Sequence, residues 1–232
     1  MQGESYKVEI WAAIDLSGKE ACFSAGSFPD RKILADSSFP MKGRDSSSLL
    51  EKIEGFLGEL SLSARDVARW TAGTGPGNYT GLRIVSALVS GIAFERDNVC
   101  CRGIPSAHAV LADLARDGDG AAMVVYPYET GRIFSYGATV AHGKISAMQE
   151  MSGVFTAGEL LEKFPGVRHA VFERDLLSLP EQLARDAVVI AGFPVHNLLF
   201  AEPDMWIRDT VKDLIYMRPA VNVAPMHIRT EI

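Results

Sequence analysis

One order of segments occurs twice in this chain: three short strands, a helix, a strand and a second helix. The first copy opens with apolar runs at 8–14, 21–26 and 31–36, separated by Ser17-Gly18 and Pro29-Asp30. Runs this short, cut by Gly, Pro and Asp, predict a three-stranded meander. Leu49, Leu50, Ile53, Phe56, Leu57 and Leu60 then recur at helical spacing and predict a helix over 47–60. Ser46–Ser48, with Glu51 behind them, are expected to cap it. A buried strand at 67–72, a glycine-rich loop and a helix at 82–96 complete the set. The second copy predicts strands at 121–127, 132–141 and 144–150, and a helix at 156–164 with Thr156 as N-cap and Glu159 three residues on. A strand at 168–173, a short helix at 180–185 and a buried strand at 187–191 follow. The halves share this pattern without sequence identity. Mixed strands with crossover helices argue an α/β architecture of sheets covered by helices. The expected lobes are 1–104 and 105–232, and Asp117-Gly118-Asp119-Gly120 is the best linker candidate, because Gly and Asp break helix and strand alike.

Charge narrows the function. The 232 residues carry a net charge of −6, with 13 basic against 15 acidic side chains up to Asp117 and 10 against 14 beyond it. Neither half has the basic surplus with which autonomous nucleic-acid binders neutralise phosphates. The polar start, Met1 to Lys7, predicts no signal peptide. The longest charge-free stretch, 187–201, is shorter than the roughly 20 residues of a membrane span. Cys22, Cys100 and Cys101 form no CxxC pair and are expected to be reduced thiols of a cytoplasmic protein.

The densest local signal runs from Thr71 to Arg83, TAGTGPGNYTGLR, between a predicted strand and a predicted helix. Gly73, Gly75, Gly77 and Gly81 permit close approach of a ligand or of another backbone. Amides at the start of the next helix make a ready anion site. Phosphate binding by Gly75, Gly77, Asn78, Thr80 and Gly81 is therefore one reading, and a tight turn packed against a neighbour is the other. The loop matches neither a Walker A motif nor GxGxxG. The helix behind it has Arg83 as its sole charge between Leu82 and Phe94. Leu82, Val85, Leu88, Val89 and Ile92 supply one apolar face. Ala87, Ser90, Gly91 and Phe94 form a second face of small residues and one aromatic. A surface helix keeps a polar face, so this one is either a central core helix or a docking helix.

The segment Gly75-Pro76-Gly77-Asn78-Tyr79-Thr80-Gly81-Leu82-Arg83-Ile84 resembles the GPGS(F/Y)TGxRxG signature of the TsaB (YeaZ) family. Weaker matches follow in the right order: Ala13-Ile14-Asp15-Leu16-Ser17 at a first strand and turn, Ile104-Pro105-Ser106 at a step into a helix, and Ile215-Tyr216-Met217-Arg218 near the end. The resemblance implies an actin-like fold (the ribonuclease H-like superfold of actin, sugar kinases and chaperone ATPases) with duplicated βββαβα lobes. It further implies a non-catalytic scaffold that pairs with a TsaD-like catalytic subunit, with a TsaE-like ATPase, to build threonylcarbamoyladenosine beside the tRNA anticodon. Transferred interface helices map onto 46–60 and 81–96, which nominates Leu49, Ile53, Leu57, Arg83, Ala87, Ser90, Gly91 and Phe94 as the contact surface. Contact with tRNA is expected only through the partner, and a homodimer through the apolar helix is a further reading. The chain departs from the family at Asn78, at Ser46 where a His is common, and at Pro127-Tyr128-Glu129 where a DAR-type turn is usual.

Other chemistry leaves little trace. The five histidines, His108, His142, His169, His196 and His227, are each at least 27 residues from the next, with no HxxxH pair. No metal site and no catalytic residue is expected, and the glycoprotease label of the wider family is not adopted. His108, near the start of a predicted helix at 106–116, reads as a surface or partly packed side chain. Asp15 reads either as a phosphate- or magnesium-linked acid or as a turn cap. The alternative function is thus a nucleotide-binding protein or enzyme of the same superfold, holding ATP or ADP with Mg through the Gly73–Gly81 loop.

Overall fold

The computed structural model describes residues 8–41, 45–94, 96–201 and 206–217, with backbone alone at 45 and 46. Met1–Lys7, Arg44, the Ser46 side chain, Arg218 and His227 lie outside the described residues. Two five-stranded mixed sheets form the frame. The first holds β1 (Glu9–Asp15), β2 (Glu20–Phe28), β3 (Lys32–Pro40), β4 (Val67–Gly73) and β5 (Cys100–Ile104), in the order β3-β2-β1-β4-β5. The second holds β6 (Gly120–Glu129), β7 (Arg132–Ala141), β8 (Lys144–Thr156), β9 (Arg168–Phe172) and β10 (Val188–Ile190), in the order β10-β9-β6-β7-β8. The two orders are the same when each is read from its own first strand. In both, hairpins give the antiparallel half and helical crossovers give the parallel half. This is the duplicated actin-like, ribonuclease H-like arrangement.

The cores follow from strand alternation. Ala12, Ile14, Phe23 and Trp70 face α1 (Leu49–Glu59) and α2 (Tyr79–Ile92), where Leu49, Ile53, Leu57, Val85 and Val89 meet them. Trp11, Ala13 and Cys22 point the other way, against Val195, Leu198 and Leu199 around α6 (His196–Leu199). The second sheet is packed by α3 (Ala107–Ala115) on one face and by α4 (Ala157–Lys163) and α5 (Glu181–Ala184) on the other. The chain beyond residue 195 thus returns to the first sheet.

Several local expectations fail for identifiable reasons. Ser48 stands at the N-cap of α1 without a side-chain cap bond, because a 3-10 turn over Asp45–Ser48 leads into the helix. The expected capping box at Thr156 and Glu159 does form. Strand β5 was not anticipated, since Arg102 interrupts its apolar run; the structure buries Arg102 between the Thr71 hydroxyl and the carbonyls of Leu198 and Leu199. Strand β10 forms, but Val188 and Val189 are exposed, because it is a sheet edge and not a buried strand.

Candidate functional site

The glycine-rich loop joins the end of β4 to α2 and is bonded on every side by its own chain. The Thr74 amide donates to the Ile104 carbonyl at 2.9 Å, and the Asn78 amide to the Ser17 carbonyl at 2.9 Å. The Gly75 amide donates to the Ser106 hydroxyl at 2.9 Å. The Gly77 amide reaches the Ile215 carbonyl at 3.3 Å, while the Ile215 amide donates to the Thr74 carbonyl at 2.8 Å. Gly77 and Tyr216 form a parallel bridge, and the Tyr79 and Tyr216 rings lie 4.8 Å apart. Two segments matched separately in the sequence, at the loop and near residue 216, are therefore one structural unit.

The glycines are required by these close approaches. A Cβ at Gly81 would overlap the Leu16 carbonyl, one at Gly77 would strike Ser17, and one at Gly73 would overlap the Asp15 carboxylate. Gly75 has φ +103° and lies against the Ile215 carbonyl. Asn78 ties the arrangement together. Its Oδ1 accepts the Gly81 amide at 2.6 Å and caps α2, while its Nδ2 donates to the carbonyls of Leu16 (3.0 Å), Ser17 (3.3 Å) and Gly18 (2.7 Å). Asn78 thus supplies an acceptor at the helix N-terminus, and close packing within the chain suffices to explain the four glycines. Thr80, in the first turn of α2, is exposed.

Asp15 is fully buried and accepts hydrogen bonds from the Ser106 hydroxyl, the Ser17 hydroxyl at 2.6 Å and the Ser17 amide at 2.8 Å. Burial pushes its carboxyl above the ordinary carboxylate range, against the opposing effect of those bonds and of Arg174. It caps its own turn and pins β1 to the start of α3. Beside it opens the cleft between the lobes, a cavity of about 290 Å³. Ser17, Gly18 and Lys19 form one wall, Tyr126, Pro127 and Phe172 the other. Arg174 lies over the Phe172 ring at 4.8 Å, and its guanidinium occupies the space beside Gly18. The volume is at the low end for a small-molecule pocket. Neither Phe172 nor Arg174 was signalled by the sequence, because only the duplication of the fold brings them opposite residues 17–19.

The nominated contact residues divide. Leu49, Ile53 and Leu57 are 1%, 0% and 0% exposed and belong to the core of the first lobe, so they present nothing to a partner. Burying each contributes about 2 kcal/mol. The outward face of α1 carries Leu50, Glu51, Gly55 and Gly58 instead. On α2, Arg83, Ala87 and Gly91 are exposed, Ser90 is half-buried, and Phe94 just beyond the helix is 67% exposed. Beyond their own stretch of helix, Gly55, Gly58 and Gly91 have no heavy atom of the described chain within 4 Å of the space a Cβ would fill.

His108, expected near the surface, is buried. Its Nε2 lies 3.0 Å from the Tyr136 hydroxyl, its Nδ1 has no partner, and burial lowers its pKa to about 4. With His142 and His196 it lines a cavity at the far end of the sheets, so three histidines distant in sequence converge there. Among the described residues no group of three or more His, Cys, Asp or Glu is placed to hold a metal ion. Burial raises the thiol of Cys22 to about 12 and that of Cys101 above its ordinary value. Among the described residues no helix is long and apolar enough to cross a membrane.

No family model and no curated protein matches this chain. Solved structures do. YeaZ from Pseudomonas aeruginosa superposes with a TM-score of 0.61 at 15% identity, over 82% of this chain and 89% of that one. A protein described as similar to the peptidase YeaZ from Pseudomonas aeruginosa gives 0.63 at 15% identity, over 82% and 88%. At this identity the likeness establishes the fold.

Proposed function

We propose that this chain is a divergent TsaB-like protein. It acts as a non-catalytic, cytoplasmic subunit that pairs with a TsaD-like protein for threonylcarbamoylation of tRNA adenosine next to the anticodon. A TsaE-like ATPase is the expected third component. The observation that carries the reading is the outward face of α1 and α2. Gly55, Gly58 and Gly91 sit on these helices with open space beside them, and the stripe Arg83-Ala87-Gly91 ends on exposed Phe94. A glycine inside a helix costs up to about 1 kcal/mol relative to alanine, and nothing within the chain uses the room it leaves. A second helix pair approaching closely does use it. The fold shared with the YeaZ structures supports the same reading, as does the TGPGNYTGLR segment. The net charge of −6 fits a subunit whose partner supplies the tRNA contacts.

The test is gel filtration of this chain mixed with the TsaD-like protein of the same organism at micromolar concentration. A heterodimer is expected, and Gly91→Arg should abolish it while leaving the circular dichroism and melting temperature of the isolated chain unchanged. A folded Gly91→Arg variant that still pairs removes this face from the interface. A wild-type chain that stays alone, or that forms only a homodimer, overturns the reading.

A further inference from the structure

A concavity with a distinct chemical character lies at the end of the sheets away from the glycine-rich loop. It encloses about 530 Å³, close to twice the cleft. The β2–β3 turn, which pairs with the start of β1 through Phe28 and Glu9, brings Arg31 and Ile33 from the first lobe. The β7–β8 turn brings Lys144 and Ile145 from the second, and α3 supplies the floor with Ala112. Phe200, just after α6, closes the side. Both lobes therefore contribute to one pocket.

Its charge runs against that of the chain. The lining includes Arg31, Arg116 and Lys144 and, among the described residues, no carboxylate. Of the acids close by, Asp113 pairs with Arg116 at 3.2 Å, Asp36 lies 2.7 Å from the His196 Nδ1, and Asp119 lies 3.6 Å from the His142 Nδ1. Arg31 donates to the Phe200 carbonyl at 2.8 Å and lies 5.2 Å from the centre of the Phe200 ring. Among the described residues no carboxylate stands within ion-pair distance of Arg31 or Lys144. These two cations come from different lobes and line one pocket with an apolar side. Ile33 is 39% exposed there, and Ile145, Ala112 and Phe200 are half-buried. The wall also contains His108, the buried imidazole whose Nδ1 has no partner.

We infer that this pocket binds a small organic anion, a phosphate or carboxylate carried on a flat apolar body. The anionic group sits between Arg31 and Lys144, and the body lies on Phe200, Ile33 and Ile145. A cation from each lobe offsets the desolvation of a bound anion, and a pocket of this volume suits a molecule of roughly nucleotide size. Arg31 and Lys144 are the recognition residues, because among the described residues no acid lies within ion-pair distance of either. The inference is independent of the pairing surface on α1 and α2.

The test is a titration of the ¹⁵N-labelled chain with phenyl phosphate, benzoate, adenosine monophosphate and inorganic phosphate, at about 0.15 M salt. Saturable shifts of the Gly143, Lys144, Ala112 and Ala115 amides are expected with at least one organic anion, with a dissociation constant below about 1 mM. The exposed double variant Arg31→Glu/Lys144→Glu should weaken binding at least about tenfold with its spectrum otherwise intact. A control pair of surface changes, Arg65→Glu/Arg185→Glu, should not. Phosphomonoester and carboxylate probes separate the two head groups, and binding of either supports the inference. Three results overturn it: no saturable shift with any organic probe, equal binding of inorganic phosphate, or shifts confined to Lys19 and Arg174 in the cleft. Equal weakening by the control pair also overturns it, since attraction to the whole surface then suffices.

Discussion

Replacing Asn78 by Asp exchanges one amide group for an oxygen and isolates what holds the glycine-rich loop. Asp and Asn serve about equally well as N-caps, so acceptance of the Gly81 amide at 2.6 Å is retained. The donor side is lost. Nδ2 spends its two protons on the Gly18 and Leu16 carbonyls at 2.7 and 3.0 Å, with Ser17 at 3.3 Å sharing them. Two such bonds contribute about 1 kcal/mol each, and a carboxylate adds repulsion against three carbonyl dipoles, softened because residue 78 is exposed. The expected loss is about 2 kcal/mol, or roughly 4–8 °C in melting temperature for a domain of this size. Urea unfolding at neutral pH, read as a shift in midpoint at constant slope, measures it. Asn78→Ser removes the same donors without adding charge and separates donor loss from repulsion. If Asn78→Asp stays within about 0.5 kcal/mol of the parent chain, the bonds to residues 16–18 do not hold the loop, and the argument that the glycines serve internal packing fails with them.

Gly81→Ala should cost at least about 2–4 kcal/mol, because the added methyl meets the Leu16 carbonyl and neither backbone can move aside; thermal melts measure this, and a near-neutral variant contradicts the close approach. His108 sets a pH dependence. Its folded pKa, about 4, lies below the ordinary imidazole value of 6.5, so the unfolded chain takes up the proton first. The associated stability is complete above pH 6.5 and falls by about 3 kcal/mol as pH drops towards 4. Urea midpoints across that window should flatten in a His108→Leu/Tyr136→Phe double variant, in which the titrating ring and its hydroxyl partner leave together.

What could be read in the sequence was what local periodicity and turn chemistry determine. The meanders, α1, α2 and the Thr156–Glu159 cap all rest on neighbours within a few residues, and they stand close to where the pattern put them. The misses have tertiary causes. Arg102 hides β5 because its charge is satisfied by carbonyls nearly a hundred residues away. The apolar spelling of β10 does not reveal an edge strand, since an edge is defined by which strand is missing beside it. Leu49, Ile53 and Leu57 show the same limit at the site. Helical spacing identifies the buried stripe of α1, while the residues offered outward are those the pattern treats as filler. The cleft residues Phe172 and Arg174 carry no local signal, because they meet residues 17–19 only through the packing of one lobe on the other.

Glycine has opposite meanings in two parts of this molecule, and the difference bears on where function lies. In the 73–81 loop each glycine is demanded by an atom of the same chain: a carbonyl of residue 16 or 215, the side chain of Ser17, or the carboxylate of Asp15. A residue explained in this way needs no ligand to account for it, however closely its spelling resembles a phosphate loop. On α1 and α2 the case is reversed. Gly55, Gly58 and Gly91 weaken helices that would be stronger with alanine, and among the described residues no atom beyond their own helix comes near. Conformational freedom explains nothing there, because none of the three has a positive φ. On the proposed function, the missing side chains let a partner helix come close. Phe94, two-thirds exposed at the end of the same α2 stripe, would give that partner an apolar anchor. The informative glycines of this sequence are therefore the inconspicuous ones on its helices, and the conspicuous ones in its loop are the framework that holds α2 in position.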